Sequence, residues 1–209
     1  MYRIPTKNEI TFLKRAFNIW GVFEVFERSS ILIKEDSIDV VIYSNRYNPN
    51  NKSSKNKNCK IQVNSKFKDY NFDKTLSKKG VFLLNSDDHK IDVIKNQPYY
   101  AGLLMGYIHK KFFPSLSFLE IVATKSISFP YIIIKEQAAN LVLYGRDVFG
   151  YSILSSSIFD ENTLVLIMNS DRKPLGLGKT RYPSSVIFKE NTVVVSNISD
   201  YGYYLREEN

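Results

Sequence analysis

Cysteine and histidine are almost absent from this chain of 209 residues, which contains only Cys59, His89 and His109. A lone cysteine cannot form an internal disulfide, and these three residues do not have the spacing of a zinc site. We therefore expect neither metal catalysis nor a bound cofactor.

Long apolar runs are also lacking. No stretch of 18 consecutive apolar residues occurs, and residues 1–6 have neither the apolar segment nor the cleavage site of a signal peptide. A soluble intracellular protein without membrane contact is expected. Because 44% of the residues are hydrophobic and 14% are aromatic, the chain can form one large core or two small ones.

No arrangement typical of a catalytic site is visible. Gly178-Lys179-Thr180 resembles the end of a phosphate-binding loop, but that motif requires glycine five positions before Gly178, where Lys173 stands. Asp87–His89 could suggest acid–base chemistry, but the run Asn85–Asp88 has the composition of a turn. Ser155–Ser157 show no nucleophile-elbow pattern. We predict no catalytic residues and a protein that is not an enzyme.

Positive charge is in excess, since 29 Lys and Arg against 21 Asp and Glu give a net charge of +8. This excess favours an anionic partner, and nucleic acid is expected because no basic amphipathic helix for a membrane surface is visible. The window from Arg46 to Lys79 holds ten basic and two acidic residues, which accounts for the whole excess. Residues 131–209 hold eight basic and nine acidic residues, so anion binding there requires local clustering.

In the N-terminal part, Thr6 and Glu9 have the spacing of a capping box, and the apolar pattern after them predicts a helix from about Lys7 to Trp20 that Gly21 ends. Short β-branched and aromatic runs between residues 22 and 43 predict an antiparallel meander. Residues 45–60, rich in Asn, Lys and Ser, predict a mobile basic loop that either contacts RNA or only aids solubility. The alternation from Phe118 to Ala123 predicts a strand.

Pro130 interrupts the pattern and predicts a boundary between an N-terminal α/β domain, residues 1–128, and a C-terminal domain, residues 131–209. The second domain is predicted to have many short strands, which is typical of a closed or nearly closed barrel. The predicted fold class is α+β. The predicted elements are strands at Tyr131–Lys135, Val148–Leu154, Thr163–Asn169, Leu175–Lys179, Val186–Lys189 and Thr192–Ser196, glycine turns at 174–178 and 200–202, and a helix at Glu136–Tyr144 with Ala138, Leu141 and Val142 inward.

Three motifs of the C-terminal part, Leu143–Val148, Pro174–Gly178 and Asp200–Glu208, together resemble the PUA domain of the Nip-seven family of large-ribosomal-subunit biogenesis factors. Residues 101–120 resemble the Leu-Gly-containing segment that precedes the PUA domain in that family. The resemblance implies an N-terminal α/β domain with an antiparallel sheet, followed by a PUA pseudo-barrel that contacts RNA and assembles into pre-ribosomal particles.

The implied function is non-catalytic RNA binding in large-subunit pre-rRNA processing and assembly. The implied partners are pre-rRNA, with U-rich RNA as one candidate, and pre-ribosomal or exosome-associated proteins. A monomer is expected, cytoplasmic in an archaeon or nucleolar in a eukaryote. The alternative is an RNA-modification enzyme or its accessory subunit, with the PUA domain as a grip on the substrate, although residues 1–128 are short for a catalytic domain and lack a cofactor fingerprint.

The chain departs from archaeal members of that family on its last strand, because Thr192–Ser199 contains no basic residue. Lys179 and Arg181, two apart on a predicted strand, would share a face beside Tyr182 and so combine phosphate contacts with base stacking. The alternative for this pair is a solvated strand edge protected by charge. The predicted RNA-binding residues are Arg172, Lys173, Lys179, Arg181, Tyr182, Lys189, Ser196, Asn197 and Ser199.

Overall fold

A computed structural model describes residues 1–36, 78–84, 88–109, 111–188 and 191–202. The predicted loop at 45–60 and Lys189 lie outside these residues, as does most of the basic window. The described helices are α1 (Lys7–Ile19), α2 (Phe23–Glu27), α3 (Asp88–Asn96), α4 (Leu116–Lys125) and α5 (Glu136–Leu143). The described strands are β1 (Tyr2–Arg3), β2 (Ser30–Asp36), β3 (Lys78–Leu84), β4 (Leu103–Ile108), β5 (Phe112–Pro114), β6 (Tyr131–Ile134), β7 (Val148–Phe149), β8 (Ile153–Ser156), β9 (Leu164–Met168), β10 (Pro174–Thr180) and β11 (Val193–Asp200).

The N-terminal sheet is antiparallel, with the strand order β1-β2-β3-β4-β5. Successive side chains of a strand point to opposite faces of the sheet. In the central strands of this sheet, the side chains on both faces are buried. Ile33 packs into the core that contains α1 and α4, whereas its neighbour Leu32 packs against Tyr2 and the apolar residues of α3. This two-sided burial explains why Ile31–Ile33 of β2 are all apolar instead of alternating with polar residues.

The capping box that starts α1 is confirmed. Thr6 accepts a hydrogen bond from the backbone N–H of Glu9 at 3.3 Å, and the Glu9 carboxylate accepts one from the backbone N–H of Thr6 at 2.8 Å. The helix ends just before Gly21, whose φ of 68° lies in the left-handed region that glycine adopts without strain.

Two predictions for the N-terminal part are wrong. The segment after Val22 forms the helix α2 rather than the start of a meander, and the predicted strand Phe118–Ala123 lies within α4. Ser115 begins α4, because its hydroxyl accepts a hydrogen bond from the N–H of Phe118 at 3.1 Å. Phe118 and Val122 are buried one helical turn apart, a spacing that the apparent alternation concealed. Of the run Asn85–Asp88, predicted as a turn, only Asp88 lies within the described residues, and it begins α3.

The C-terminal sheet has the order β7-β11-β10-β9-β6-β8, with β6 and β9 parallel and its other described pairs antiparallel. Its core contains Ile132, Val165, Ile167 and Val195. The edge strands β7 and β8 are joined by a 3-10 turn, Gly150–Ser152, and this turn brings the two edges of the sheet together in a nearly closed barrel. The α+β fold class, with an antiparallel sheet followed by a PUA-type pseudo-barrel, is confirmed.

Several predicted details of this domain are wrong. The 3-10 turn interrupts the predicted strand Val148–Leu154, and a second turn at Ser184–Val186 stands where the strand Val186–Lys189 was predicted to begin. Leu141 is 51% exposed, and Ala139 rather than Leu141 lies inward beside Val142.

The predicted glycine turn at 174–178 is also wrong, whereas the strand predicted at Leu175–Lys179 is confirmed, because these residues lie within the central strand β10. A Cβ on Gly176 would overlap the backbone of the neighbouring strand, with the carbonyl oxygen of Ser199 nearest and the Cα of Asp200 at 2.8 Å. The pairing register shifts near this position on both sides of β10. Gly176 therefore permits a close approach of strands rather than a reversal of the chain.

The two sheets meet in a shared core. Leu166, Met168 and Leu177 of the C-terminal sheet belong to the same buried cluster as Phe17 and Phe118. The hydroxyl of Tyr201 donates a hydrogen bond to the carbonyl oxygen of Leu116 at 2.7 Å, and burial raises the pKa of this phenol. Pro130 lies between the sheets, and the predicted boundary there stays a prediction. None of the helices within the described ranges is long and apolar enough to cross a membrane.

Candidate nucleic-acid interface

One end of β10 brings together Lys179, Arg181 and Ser196. Lys179 lies opposite Ser196 in the pairing of β10 with β11. Arg181 follows the strand, and its backbone N–H donates to the carbonyl oxygen of Val194 at 2.8 Å. Its side-chain Nε donates to the hydroxyl of Ser196 at 2.8 Å. Three of the predicted RNA-binding residues are thus neighbours.

Asp147 fixes the position of the Arg181 guanidinium. Its Oδ2 is 2.9 Å from Arg181 Nη2, and its Oδ1 accepts a hydrogen bond from the backbone N–H of Asn197 at 3.0 Å. The Arg181 side chain is 49% exposed and that of Asp147 is 36% exposed. An ion pair this open to water contributes only about 0 to 1 kcal/mol. A phosphate group can therefore compete with Asp147 for Arg181.

The side-chain amide of Asn197 forms hydrogen bonds within the protein. Its Nδ2 donates to the carbonyl oxygen of Val142 at 3.0 Å and to the carboxylate of Asp200 at 3.2 Å. These bonds tie β11 to the end of α5. A contact of this amide with RNA stays a prediction that would require one of these bonds to be exchanged.

The other predicted residues lie elsewhere. Arg172 and Lys173 are in the turn between β9 and β10, about 20 Å along β10 from Lys179 at the usual rise per residue of a strand. Tyr182 is half-buried and packs against the core of the C-terminal sheet. Ser199 pairs with Leu177, which lies between the two ends of β10. The predicted set therefore divides between two separate places, and Lys189 lies outside the described residues.

Three exposed residues near Arg181 were not predicted from the sequence. Arg146 precedes Asp147 and is exposed, and Phe149 pairs with Val193, the neighbour of the residue that Arg181 bonds. Phe149 and Tyr151 are 38% and 51% exposed, and the centroids of their rings are 5.8 Å apart. The only sequence signal for these residues was their place in and just after the Leu143–Val148 motif.

We call this region the Arg181 surface. It combines three cations with two neighbouring exposed rings, and Phe149, Lys179 and Ser196 lie on strands of the nearly closed barrel. Cations can contact phosphates, and exposed rings can stack on bases. The Arg181 surface consists of Arg146, Phe149, Tyr151, Lys179, Arg181 and Ser196.

Comparison with known proteins supports the assignment of the C-terminal fold. The family model of the UPF0113 PUA domain matches residues 130–209. A UPF0113 protein of Archaeoglobus fulgidus is 34% identical over 113 residues, which are 53% of this chain. The aligned region spans 64% of that relative, which is less than two thirds of its length.

One solved structure shows a similar fold over the whole chain. A hypothetical protein of Pyrococcus horikoshii is 14% identical and has a TM-score of 0.56, over 100% of this chain and 99% of its own. A PUA-domain structure of Aeropyrum pernix, determined with tartrate, is 12% identical and has a TM-score of 0.47, over 98% of this chain and 88% of its own. Residues 130–209 have the fold of a PUA domain, and the part of the chain before them contains an antiparallel sheet with helices.

Proposed function

We propose that this protein is a non-catalytic RNA-binding factor that acts in large-subunit pre-rRNA processing and assembly. The observation that carries the proposal is the PUA domain at residues 130–209, since PUA domains are RNA-binding domains. The resemblance to the Nip-seven family supports the more specific role in ribosome biogenesis.

The Arg181 surface is the proposed contact with RNA. Arg146, Lys179 and Arg181 would bind phosphate oxygens, which position an RNA without reading its sequence. Phe149 and Tyr151 would stack on unpaired bases, a contact worth about 1 to 3 kcal/mol per base. RNA with unpaired nucleotides beside a structured stem would use both kinds of contact.

The N-terminal domain is proposed to hold the protein partners, which are pre-ribosomal or exosome-associated proteins. Its five-stranded sheet is fused to the PUA domain through the shared core around Phe118. A protein bound to the N-terminal domain would therefore be held in a fixed orientation to RNA on the Arg181 surface.

The proposal is tested by crosslinking RNA to the tagged protein in cells and sequencing the attached RNA. Enrichment of large-subunit rRNA precursors is expected, together with pre-ribosomal proteins in the same purification. Recovery of other RNA classes alone would support RNA binding but contradict the ribosomal role. Absence of crosslinked RNA would contradict both. A modified nucleotide formed when the purified protein is incubated with transcript RNA would favour the alternative of a modification enzyme.

A further inference from the structure

A small cleft lies between the two domains, on the side of β9 that faces α4. Val122, Ala123 and Ser126 form one side, and Leu166 and Met168 form the floor. Its volume is about 90 Å³. Pockets that enclose a whole small-molecule ligand usually begin at about 300 Å³. The cleft is therefore suited to one small planar group of a larger molecule.

Two aromatic residues stand at this cleft. Phe129 stacks on Trp20, with centroids 4.4 Å apart and planes 11° from parallel, so its ring is held in place. Tyr131 begins β6, and its backbone N–H donates to the hydroxyl of Ser157 at 2.9 Å. The backbone N–H of Ser157 donates in return to the carbonyl oxygen of Tyr131 at 3.0 Å. Stacking on Trp20 thus holds the ring of Phe129, and the two bonds with Ser157 fix the backbone of Tyr131 at the cleft.

Arg172 supplies a cation at the cleft. Its φ of 61° is in the left-handed region, which is unusual for arginine. The turn that imposes this conformation is well fixed, since the N–H of Arg172 donates to the carbonyl oxygen of Asn169 at 3.0 Å and the N–H of Lys173 donates to the Asn169 side chain at 2.8 Å. Among the described residues, no carboxylate forms an ion pair with the Arg172 guanidinium.

We propose that this cleft receives one unstacked nucleotide of the bound RNA, with the base against Phe129 and Tyr131 and its phosphate at Arg172. This inference rests on the proposed RNA binding and adds a second contact, about 20 Å along β10 from the Arg181 surface. A nucleotide combines a planar apolar ring with an anion, which matches the aromatic residues and the single cation. Unstacked bases are the usual targets of aromatic side chains in RNA recognition.

The first test compares Arg172→Asn with Lys173→Asn in the full chain. Asparagine tolerates the left-handed conformation at position 172, and both variants remove one exposed positive charge. Binding is measured for a stem with a single-stranded extension and for a blunt duplex of the same stem. We expect Arg172→Asn to weaken binding of the extended RNA about fivefold or more, whereas Lys173→Asn changes it about twofold or less. Blunt-duplex binding is expected to change equally in the two variants.

A second measurement locates the base directly. RNA with thiouridine in the extension is photocrosslinked to the wild-type protein, and the attached peptide is identified by mass spectrometry. Crosslinks to the segment that contains Phe129 and Tyr131 are expected, and their yield should fall in Ala123→Leu, which fills the cleft from α4.

The outcomes separate this inference from the proposed function. If the wild-type protein binds RNA but crosslinks lie only at the Arg181 surface, and Arg172→Asn behaves like Lys173→Asn, the cleft site is wrong and RNA binding stands. If Arg172→Asn loses a protein partner while RNA affinity is kept, the cleft binds protein and the inference is wrong. If the wild-type protein binds neither RNA, the proposed function fails and the cleft site fails with it.

Discussion

The two domains use charged side chains in opposite ways. In the N-terminal domain, Glu9 lies 2.8 Å from Arg3 and 2.8 Å from Lys79, and its side chain is only 10% exposed. In the PUA domain, Arg181 pairs with Asp147 at a similar distance of 2.9 Å, but the two side chains are 49% and 36% exposed. Burial, rather than distance, decides whether an ion pair holds a fold together or leaves a cation for a ligand.

In the PUA domain, close contacts between strands stabilise the fold, as the ion pairs of Glu9 do in the N-terminal domain. The most severe test is Gly176→Ala, which would push a Cβ into the backbone of β11. We expect a loss of about 3 kcal/mol in the free energy of unfolding, at the upper end for overpacking. Gly178→Ala is the comparison, since its Cβ would meet the buried side chains of Val195 and Ile167 rather than backbone, and it should lose less. Urea unfolding measures both, and equal losses would contradict this explanation.

Removing the charge of Glu9 is the corresponding test in the N-terminal domain. Glu9→Gln keeps the size of the side chain but leaves Arg3 and Lys79 with the more exposed Glu35, at 2.6 and 3.7 Å, as their carboxylate partner. We expect about 2 kcal/mol of destabilisation, less than for a fully buried pair because the side chains of Arg3 and Lys79 are 29% and 40% exposed. Urea unfolding at neutral pH measures it. A change in the free energy of unfolding below about 0.5 kcal/mol, the usual size for a surface substitution, would mean that this network stabilises the fold no more than an exposed ion pair does.

The same network should respond to acid. Hydrogen bonds from Arg3, and then from Lys79 and Thr6, hold the pKa of Glu9 well below its usual range, and Arg3 lowers the pKa of Glu35. A carboxylate whose pKa is lowered by folding stabilises the fold above its unfolded pKa of about 4.3, and this contribution is lost as the pH falls further. The difference between wild type and Glu9→Gln should therefore shrink from pH 7 to pH 3. A difference that stays constant would show that packing, not charge, is responsible.

A smaller effect is expected on the PUA side, where removing an acidic partner should increase RNA affinity. Asp147→Asn keeps an oxygen that can accept the N–H of Asn197 and removes the charge that competes with phosphate for Arg181. We expect RNA binding to become about threefold tighter, as for the loss of a weak surface pair. Asp160→Asn, another exposed acidic residue of this domain, is the control and should leave affinity nearly unchanged. Weaker binding by Asp147→Asn would mean that RNA needs the orientation that Asp147 gives to Arg181.

The smallest effect is expected for an exposed pair of the N-terminal domain. Arg28 and Glu24 are 3.8 Å apart on α2, with side chains 82% and 83% exposed. Glu24→Gln should change the free energy of unfolding by about 0.3 kcal/mol or less. A loss as large as that of Glu9→Gln would contradict the inference that burial decides how much an ion pair stabilises the fold.

Sequence patterns predicted the parts of the fold that are governed by local chemistry. The capping box of Thr6 and Glu9 satisfies its own helix end, so it is visible without tertiary structure. The strand predicted at Phe118–Ala123 is wrong because six residues, apolar except for Glu120, are too few to distinguish the two periods. The decision between them depends on the N-cap Ser115 and on packing against Phe17.

The candidate site was predictable only in part, for the same reason. The neighbourhood of Lys179 and Arg181 followed from their spacing in a strand. The pairing of Arg181 with Asp147, however, joins residues 34 apart in the sequence. The separation of Arg172 from Arg181 likewise depends on Gly176 and Gly178 continuing a strand instead of turning the chain.

The most direct test of RNA binding by the Arg181 surface is a salt titration of RNA affinity, with the wild type compared with the double variant Lys179→Gln and Arg181→Gln. Each lost phosphate contact should reduce the slope of log affinity against log salt by about 0.7 to 0.9, so the double variant should lose about 1.5 and bind at least tenfold more weakly at low salt. An unchanged slope and affinity, with the fold intact by circular dichroism, would contradict the assignment of this surface.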